Sequence, residues 1–338
     1  MPKEKIYKSI EMLSSDNLSI GYQAKGGNKI VMSELNLKLF SGQLVALLGP
    51  NGSGKSTLIR TLCNLQPQLS GEINFINANN KTSLSWKDIA VVLTSPVYAP
   101  NFTVYDMVSA GRYPFTNWLG KLSSKDHTIV EHSIKSVGIE QLAARLVNQL
   151  SDGERQRMMI AKALAQQSSI IILDEPTAHL DLINRVEITK LLRKLALEEN
   201  KAILMATHEL DLAIQSADRL WLMDDKEIIV GAPEDMIISG DLQRIFARLS
   251  LDFDHYTGAF KIKTSLDKTI SFINKDNSPE EIWTERALQK LGFEIINNLD
   301  EKIILVYCRA EEKWILEENS IIKSFGSLAE LCDELKAQ

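Results

Sequence analysis

Residues 44–65 read LVALLGPNGSGKSTLIRTLCNL: five apolar residues, a glycine-rich turn, then apolar residues at helical spacing. The turn, GPNGSGKST at 49–57, satisfies GxxxxGK[ST] with Gly49, Gly54, Lys55 and Ser56, and its flanks predict a strand before it and a helix after it. The chemistry asks for these residue types. Glycines let backbone N–H groups curl around phosphates, Lys55 supplies positive charge to the β- and γ-phosphates, and the Ser56 hydroxyl is placed to ligate Mg²⁺. The candidate cradle is Gly49, Asn51, Gly52, Ser53, Gly54, Lys55, Ser56 and Thr57, with Ser56 favoured over Thr57 as the metal ligand.

Working outward, SIIILDEP at 169–176 is an apolar strand ending in two carboxylates. Asp174 is placed to hold Mg²⁺ through water, and Glu175 to orient or deprotonate an attacking water. Taken alone, the same residues also suit a solvated turn. His208 follows another buried-type strand, AILMAT at 202–207, within reach of a γ-phosphate. Together these stretches describe a site for ATP and Mg²⁺ with hydrolytic groups beside it, on an α/β scaffold of strands alternating with helices.

The chain of 338 residues exceeds what one core normally supports, so one large domain and one small one are expected. With 44% hydrophobic and 24% charged residues it is globular, and 44 acidic against 38 basic side chains give −6, a balance that disfavours a nucleic-acid partner. Cys63, Cys308 and Cys332 have neither disulfide nor zinc spacing. No apolar run is long enough to span a bilayer, and MPKEKIYKSIEMLSSDN at the start lacks a secretory core, so a cytosolic protein is expected. The pattern changes near residue 240. Residues 12–240 form the α/β domain, with a helical insert at about 96–166, and 241–338 form a small α+β domain. In that tail KTISFIN and KIILVYC read as strands, Ser278 with Glu281 and Ser327 with Glu330 read as capping boxes, and 13 basic against 18 acidic residues hold most of the excess charge. It carries no catalytic constellation, and His255 stands alone there.

These motifs, with QLSDGERQR at 149–157, resemble the nucleotide-binding subunits of ABC transporters over roughly residues 15–240. Leu150, Ser151, Gly153 and Glu154 are similar to the signature of that family. The resemblance implies a P-loop NTPase fold of the ABC type and a head-to-tail homodimer, in which Ser151 and Gly153 of one subunit meet the γ-phosphate held by the other. At the start of a helix Ser151 is also a natural cap. The resemblance further implies that Tyr22 stacks on adenine, although a Tyr in LSIGY also suits a strand core; that Asp181 organises the partner's site; and that His208 is the switch histidine. Two positions depart from the family. Ser95 stands where a glutamine would contact metal and water, so a bridging water would have to substitute, and Asp152 replaces a glycine.

The stretch FTVYDMVSAGRYPFTNWLGKLSSKD at 102–126 looks like the matching part of importer ATPases for iron-siderophore, haem and cobalamin complexes, with Gly111 to Pro114 the telling element. That implies integral-membrane permease subunits as partners, docking on Tyr105, Tyr113, Phe115 and Trp118. It also implies a periplasmic or lipoprotein substrate-binding protein as an indirect partner, and a peripheral place on the cytoplasmic side of the inner membrane. A soluble ABC ATPase uncoupled from transport and an exporter subunit are the alternatives. The tail is expected to stabilise the dimer or to regulate it.

Overall fold

The computed structural model describes residues 9–24, 27–77, 80–82, 88–94, 99–118, 120–224, 227–248, 252–254, 259–261, 268–273, 278–296, 303–308 and 311–336. In chain order the first elements are β1 (Glu11–Tyr22), β2 (Lys29–Leu35), β3 (Lys38–Phe40), β4 (Leu44–Leu48), α1 (Lys55–Leu62), β5 (Ser70–Asn77), β6 (Asn80–Thr82) and β7 (Ile89–Val92). The helical insert follows with α2 (Val104–Ser109), α3 (Ser124–Ser136) and α4 (Asp152–Ala165). Then come β8 (Ile170–Asp174), α5 (Leu182–Glu198), β9 (Ala202–Ala206), α6 (Leu210–Ser216), β10 (Arg219–Met223), β11 (Ile228–Gly231), α7 (Pro233–Ile238) and α8 (Asp241–Arg248).

Six of these strands form one sheet in the order β11-β10-β4-β9-β8-β7, parallel except for β11 at the edge. Every residue of β4 and β9 is buried, as expected of central strands covered on both faces. Side chains alternate between layers. Val45, Leu47, Ile170, Ile172, Ala202 and Leu204 pack with α1 and the N-terminal strands, whereas Leu44, Ile171, Leu173, Ile203 and Met205 pack with α4 and α5. The functional loops consequently emerge at the carboxyl ends of β4, β8 and β9, where open α/β sheets present their ligands. The N-terminal strands β1, β2, β3, β5 and β6 make a separate antiparallel sheet that the sequence patterns did not reveal.

In the insert, Ser123 opens α3 and its hydroxyl accepts from the Asp126 N–H while the Asp126 carboxylate accepts from the Ser123 N–H. The same reciprocal cap opens α2 with Thr103 and Asp106.

The chain divides into two compact units, residues 1–249 with 253–259 and residues 250–252 with 260–338. Between the larger elements β12 (Asp252–Asp254) and β13 (Ala259–Lys261) pair as a ribbon. The second unit contains β14 (Lys268–Phe272), α9 (Pro279–Lys290), β15 (Phe293–Ile296), β16 (Ile303–Cys308), β17 (Lys313–Glu318), β18 (Ile321–Phe325) and α10 (Leu328–Lys336). Its sheet runs β15-β14-β16-β17-β18, and Ile270, Phe272, Leu305 and Leu316 bury against Leu288 of α9 and Leu331 and Leu335 of α10. Ser278 caps α9 by accepting from the Glu281 N–H. At α10 the expected box is altered: Ser327 accepts from the Glu330 N–H, but the Glu330 carboxylate accepts from the Gly326 N–H. His255 lies outside the described residues.

Candidate functional site

The turn after β4 is shaped by close approaches that only glycine permits. Gly54 has φ 107°, in the left-handed region, and starts α1. A Cβ on Gly49 would lie 2.2 Å from the Met223 carbonyl oxygen. Lys55 is buried, and its ammonium donates to the carbonyls of Gly49 (2.8 Å) and Pro50 (3.0 Å). Burial draws its pKa below the usual lysine value, and the charges of Glu175 and Asp174 partly offset this. A cavity of about 460 Å³ sits above the turn, lined by Tyr22, Lys29, Ile30, Val31, Asn51 to Thr57 and Glu175. Tyr22 is half exposed at its rim, and its hydroxyl lies 2.8 Å from Thr57 Oγ1. Thr57 is therefore committed to Tyr22, leaving Ser56 as the hydroxyl beside the carboxylates.

Asp174 ends β8 with the Ser56 side chain beside it. Burial, and then the neighbouring Glu175 charge, raise the Asp174 pKa above the ordinary carboxylate value. Two adjacent carboxylates, a hydroxyl and a half-buried setting make an oxygen-donor set that suits a hard divalent ion such as Mg²⁺. Glu175 adopts a left-handed backbone, φ 51°, with its N–H donating to the Ala206 carbonyl, so its side chain turns away from the strand. Its Oε1 lies 2.8 Å from His208 Nε2. The structure thus brings together the cradle, Asp174, Glu175 and His208 across three strand ends.

Ser151, Gly153 and Asp181 do not line that cavity. Ser151 caps α4 through a reciprocal pair, its N–H donating to Glu154 Oε2 at 2.8 Å and its Oγ accepting from the Glu154 N–H at 3.3 Å. Asp152 is ion-paired to Arg155 at 3.0 Å, so the charge that departs from the signature pattern is compensated locally. Asp181 caps α5, accepting from the Asn184 N–H at 2.8 Å. Gly153 and Asn184 are in close contact: a Cβ on Gly153 would lie 2.5 Å from Asn184 Oδ1, which ties the start of α4 to the start of α5. Ser95 lies outside the described residues. Sequence reasoning missed Asn184, which touches Gly153, and Arg185 with Glu209, which link the turns after β8 and β9; all three belong to none of the motifs.

Residues 32–178 match the family described as ABC transporter, and residues 268–336 match the iron ABC transporter C-terminal domain. The probable siderophore transport system ATP-binding protein YusV of Bacillus subtilis is 38% identical over 239 residues, covering 70% of this chain and 86% of that protein. The chain belongs to the ABC transporter ATP-binding family. Among solved structures, the inward-facing conformation of a putative metal-chelate type ABC transporter matches with TM-score 0.63 and 29% identity, covering 75% of this chain and 96% of that one. The dimeric ABC transporter cassette MJ0796 matches with TM-score 0.56 and 27% identity, over 66% and 99%.

As an ABC cassette the chain is a nucleotide-binding ATPase of the P-loop fold. Within its insert, the GRYP element proves to be a structural joint. Arg112 is buried, its Nε pairs with Asp126 at 2.8 Å, its Nη1 donates to the carbonyl of Ala165 at 2.8 Å, and its guanidinium lies over the Phe115 ring at 4.2 Å. A Cβ on Gly111 would lie 2.3 Å from the Lys162 carbonyl oxygen, so the segment is held against α4. Tyr113, Phe115 and Trp118 remain exposed, Trp118 at 92%, whereas Tyr105 is partly buried and hydrogen-bonds to His127 Nδ1 at 2.6 Å. The expected four-residue aromatic surface is therefore three residues, with Tyr105 part of the insert's packing. Among the described residues no helix is long and apolar enough to cross a membrane.

Proposed function

We propose that this ABC subunit powers import of an iron chelate of the siderophore class, or of a haem or cobalamin complex, by hydrolysing ATP beneath separate permease subunits. The observation that carries this reading is the union in one chain of an ABC cassette with a module matching the iron ABC transporter C-terminal domain. The similarity to a protein called a siderophore transport ATP-binding protein supports the same substrate class. The exposed patch of Tyr113, Phe115 and Trp118 suits docking to a permease, since aromatic residues are enriched in the buried centres of interfaces. On this reading the subunit is peripheral on the cytoplasmic side of the inner membrane, and a periplasmic or lipoprotein binding protein delivers the chelate.

In the proposed mechanism Gly49, Asn51, Gly52, Ser53, Gly54 and Lys55 hold the phosphates of ATP, and Thr57 supports Tyr22, which packs on the base. Ser56 and Asp174 would hold Mg²⁺, with Ser95 its third candidate contact; when bound, the ion supplies charge stabilisation to the phosphates. Glu175 takes the proton of the attacking water, and His208, 2.8 Å away, keeps the carboxylate aimed and donates to the γ-phosphate. Ser151 and Gly153 act on the partner's nucleotide at the N-terminal end of α4, where the helix dipole and free N–H groups favour an anion. Asp181 acts across the same interface. The second unit stabilises this dimer or regulates it.

The test is uptake of a ⁵⁵Fe-loaded siderophore by cells lacking the chromosomal copy. Wild-type protein restores uptake and Glu175→Gln does not. Uptake that is normal without the subunit for siderophore, haem and cobalamin alike would overturn the import assignment.

A further inference from the structure

Arg185 lies in the first turn of α5, four residues beyond Asp181, and makes two contacts in two different loops. Its Nε donates to the Leu180 carbonyl at 2.7 Å, and its Nη1 pairs with Glu209 Oε1, also at 2.7 Å. Leu180 belongs to the turn that follows β8 and contains Glu175 and Asp181; Glu209 is the residue after His208, in the turn that follows β9. One guanidinium therefore joins the two loops whose tips meet at the 2.8 Å contact of Glu175 with His208.

The joined segments are ones that need holding. Glu175 (φ 51°) and His179 (φ 64°) are both non-glycine residues in the left-handed region, only four residues apart, and such backbones persist where surrounding contacts over-determine them. Thr177 and Leu180 anchor this stretch by burial, Leu180 in the core shared with α4 and α5. Ala178 and Leu180 close short backbone turns onto Glu175 and Thr177, and Asp181 caps its own helix. On the other loop, the Glu209 N–H donates to Thr207 Oγ1 at 3.0 Å, which fixes Glu209 at the end of β9. The roots of the two loops are joined by strand pairing and by the bond from the Glu175 N–H to the Ala206 carbonyl, and the Arg185–Glu209 pair adds a side-chain link farther out. Its side chains are about one-third exposed (35% and 31%), so as a plain surface ion pair it would contribute little to global stability. Bidentate use of the guanidinium, with one N–H on a carbonyl and another on a carboxylate, is instead suited to fixing geometry.

We infer that Arg185 and Glu209 are positioning residues for hydrolysis: their ion pair sets the distance between Glu175 and His208 and couples Asp181 to that distance. The guanidinium is engaged by the Leu180 carbonyl and the Glu209 carboxylate, so the pair acts through the loops it holds. The inference rests on the proposed roles of Glu175 and His208. It also gives Asp181 a route to the catalytic pair within its own subunit, because the carbonyl that Arg185 grips is that of the residue immediately before Asp181.

The test uses the full-length protein and its Arg185→Ala, Glu209→Ala and double variants, with Arg185→Lys and Glu209→Gln as milder changes should an alanine variant fail to fold. Steady-state ATPase kinetics, affinity for a fluorescent ATP analogue and thermal melting are recorded for each. Each single variant is expected to lose about 10- to 100-fold in kcat, as for a small misplacement of reacting groups. KM and nucleotide affinity should stay within about twofold, because the cradle is untouched, and melting should shift little. The double variant should be no slower than the worse single one, because both changes break the same link. Unchanged kcat in folded variants, a loss that appears only in KM, or losses that multiply in the double variant would each overturn the inference. Parallel measurement of Glu175→Gln and His208→Ala separates the two levels. If those retain turnover, the catalytic assignment itself is wrong; if they abolish it while the Arg185 and Glu209 variants do not slow, only the positioning role fails.

Discussion

Replacing Asp126 by Asn removes one charge from the buried joint of the helical insert and leaves its shape. The side chains of Arg112 and Asp126 are 5% and 10% exposed and their contact is 2.8 Å. In the variant the guanidinium keeps the Ala165 carbonyl, the Gln167 side-chain oxygen and the Phe115 ring but loses the Asp126 carboxylate. Removing one partner of a buried pair costs about 3–5 kcal/mol, because the other charge stays desolvated. The Asp126 carboxylate also holds the N-terminal cap of α3, a contribution apart from the Arg112 pair. The hydroxyl and the N–H of Ser123, followed by the Arg112 guanidinium, hold the Asp126 carboxyl down to about 2 from an ordinary 3.8. At about 1.4 kcal/mol per pKa unit that depression corresponds to roughly 2–3 kcal/mol. The sign follows from the direction of the shift. A carboxylate whose folded pKa is depressed contributes its full stabilisation above the unfolded value near 4, and loses it as pH falls through about 2. Urea unfolding of wild type and Asp126→Asn at neutral pH should therefore differ by about 3 kcal/mol, and the difference should shrink between pH 4 and pH 2. A difference below about 1 kcal/mol, or one that does not change with acid, would refute the assignment of Arg112 and Asp126 as the joint.

Three further outcomes are expected. Gly153→Ala should lower both melting temperature and ATPase rate, since its Cβ would meet Asn184 Oδ1 at 2.5 Å; adding Asn184→Ala should recover melting but not turnover, and full recovery of turnover would show that Gly153 only makes room for Asn184. Ser95→Gln should raise ATPase rate or tighten its coupling to transport, and no change in either would remove Ser95 from the proposed metal contacts. Deleting residues 260–338 should weaken ATP-dependent dimerisation or alter ATPase rate, measured by light scattering and phosphate release; no effect on either would leave the second unit without a dimerising or regulatory role.

What could be read in advance depended on how locally each feature is determined. The cradle was legible because close backbone approach admits only glycine at Gly49 and Gly54, which leaves a fixed spacing. Strands β4, β8 and β9 were legible because burial on both faces makes them continuous apolar runs. The antiparallel sheet was hidden for the opposite reason. In β1 the register shifts between Asp16 and Ser19, and Asn17 is left-handed, so the alternation that marks a half-buried strand is broken. Strand β18 lies at a sheet edge with Ile321 to Ser324 all exposed, and β15 is only four residues long. Arg185 and Glu209 stand 24 positions apart, and nothing in either local pattern signals that β8 and β9 bring them together. The Gly111–Pro114 element is marked in the sequence only by its resemblance, and its physical role depends on Asp126 and Ala165, which the tertiary fold supplies.

The most direct test of hydrolysis between two copies of this chain is made with Glu175→Gln, which keeps the cradle and the contact distance to His208 while removing the carboxylate. Supplied with ATP and Mg²⁺, this variant should bind nucleotide, release no phosphate above background, and accumulate as a dimer by light scattering while wild type returns to monomer as ATP is consumed. A variant that turns ATP over at the wild-type rate, or that binds ATP and stays monomeric within its membrane assembly as well as free, would contradict the assignment.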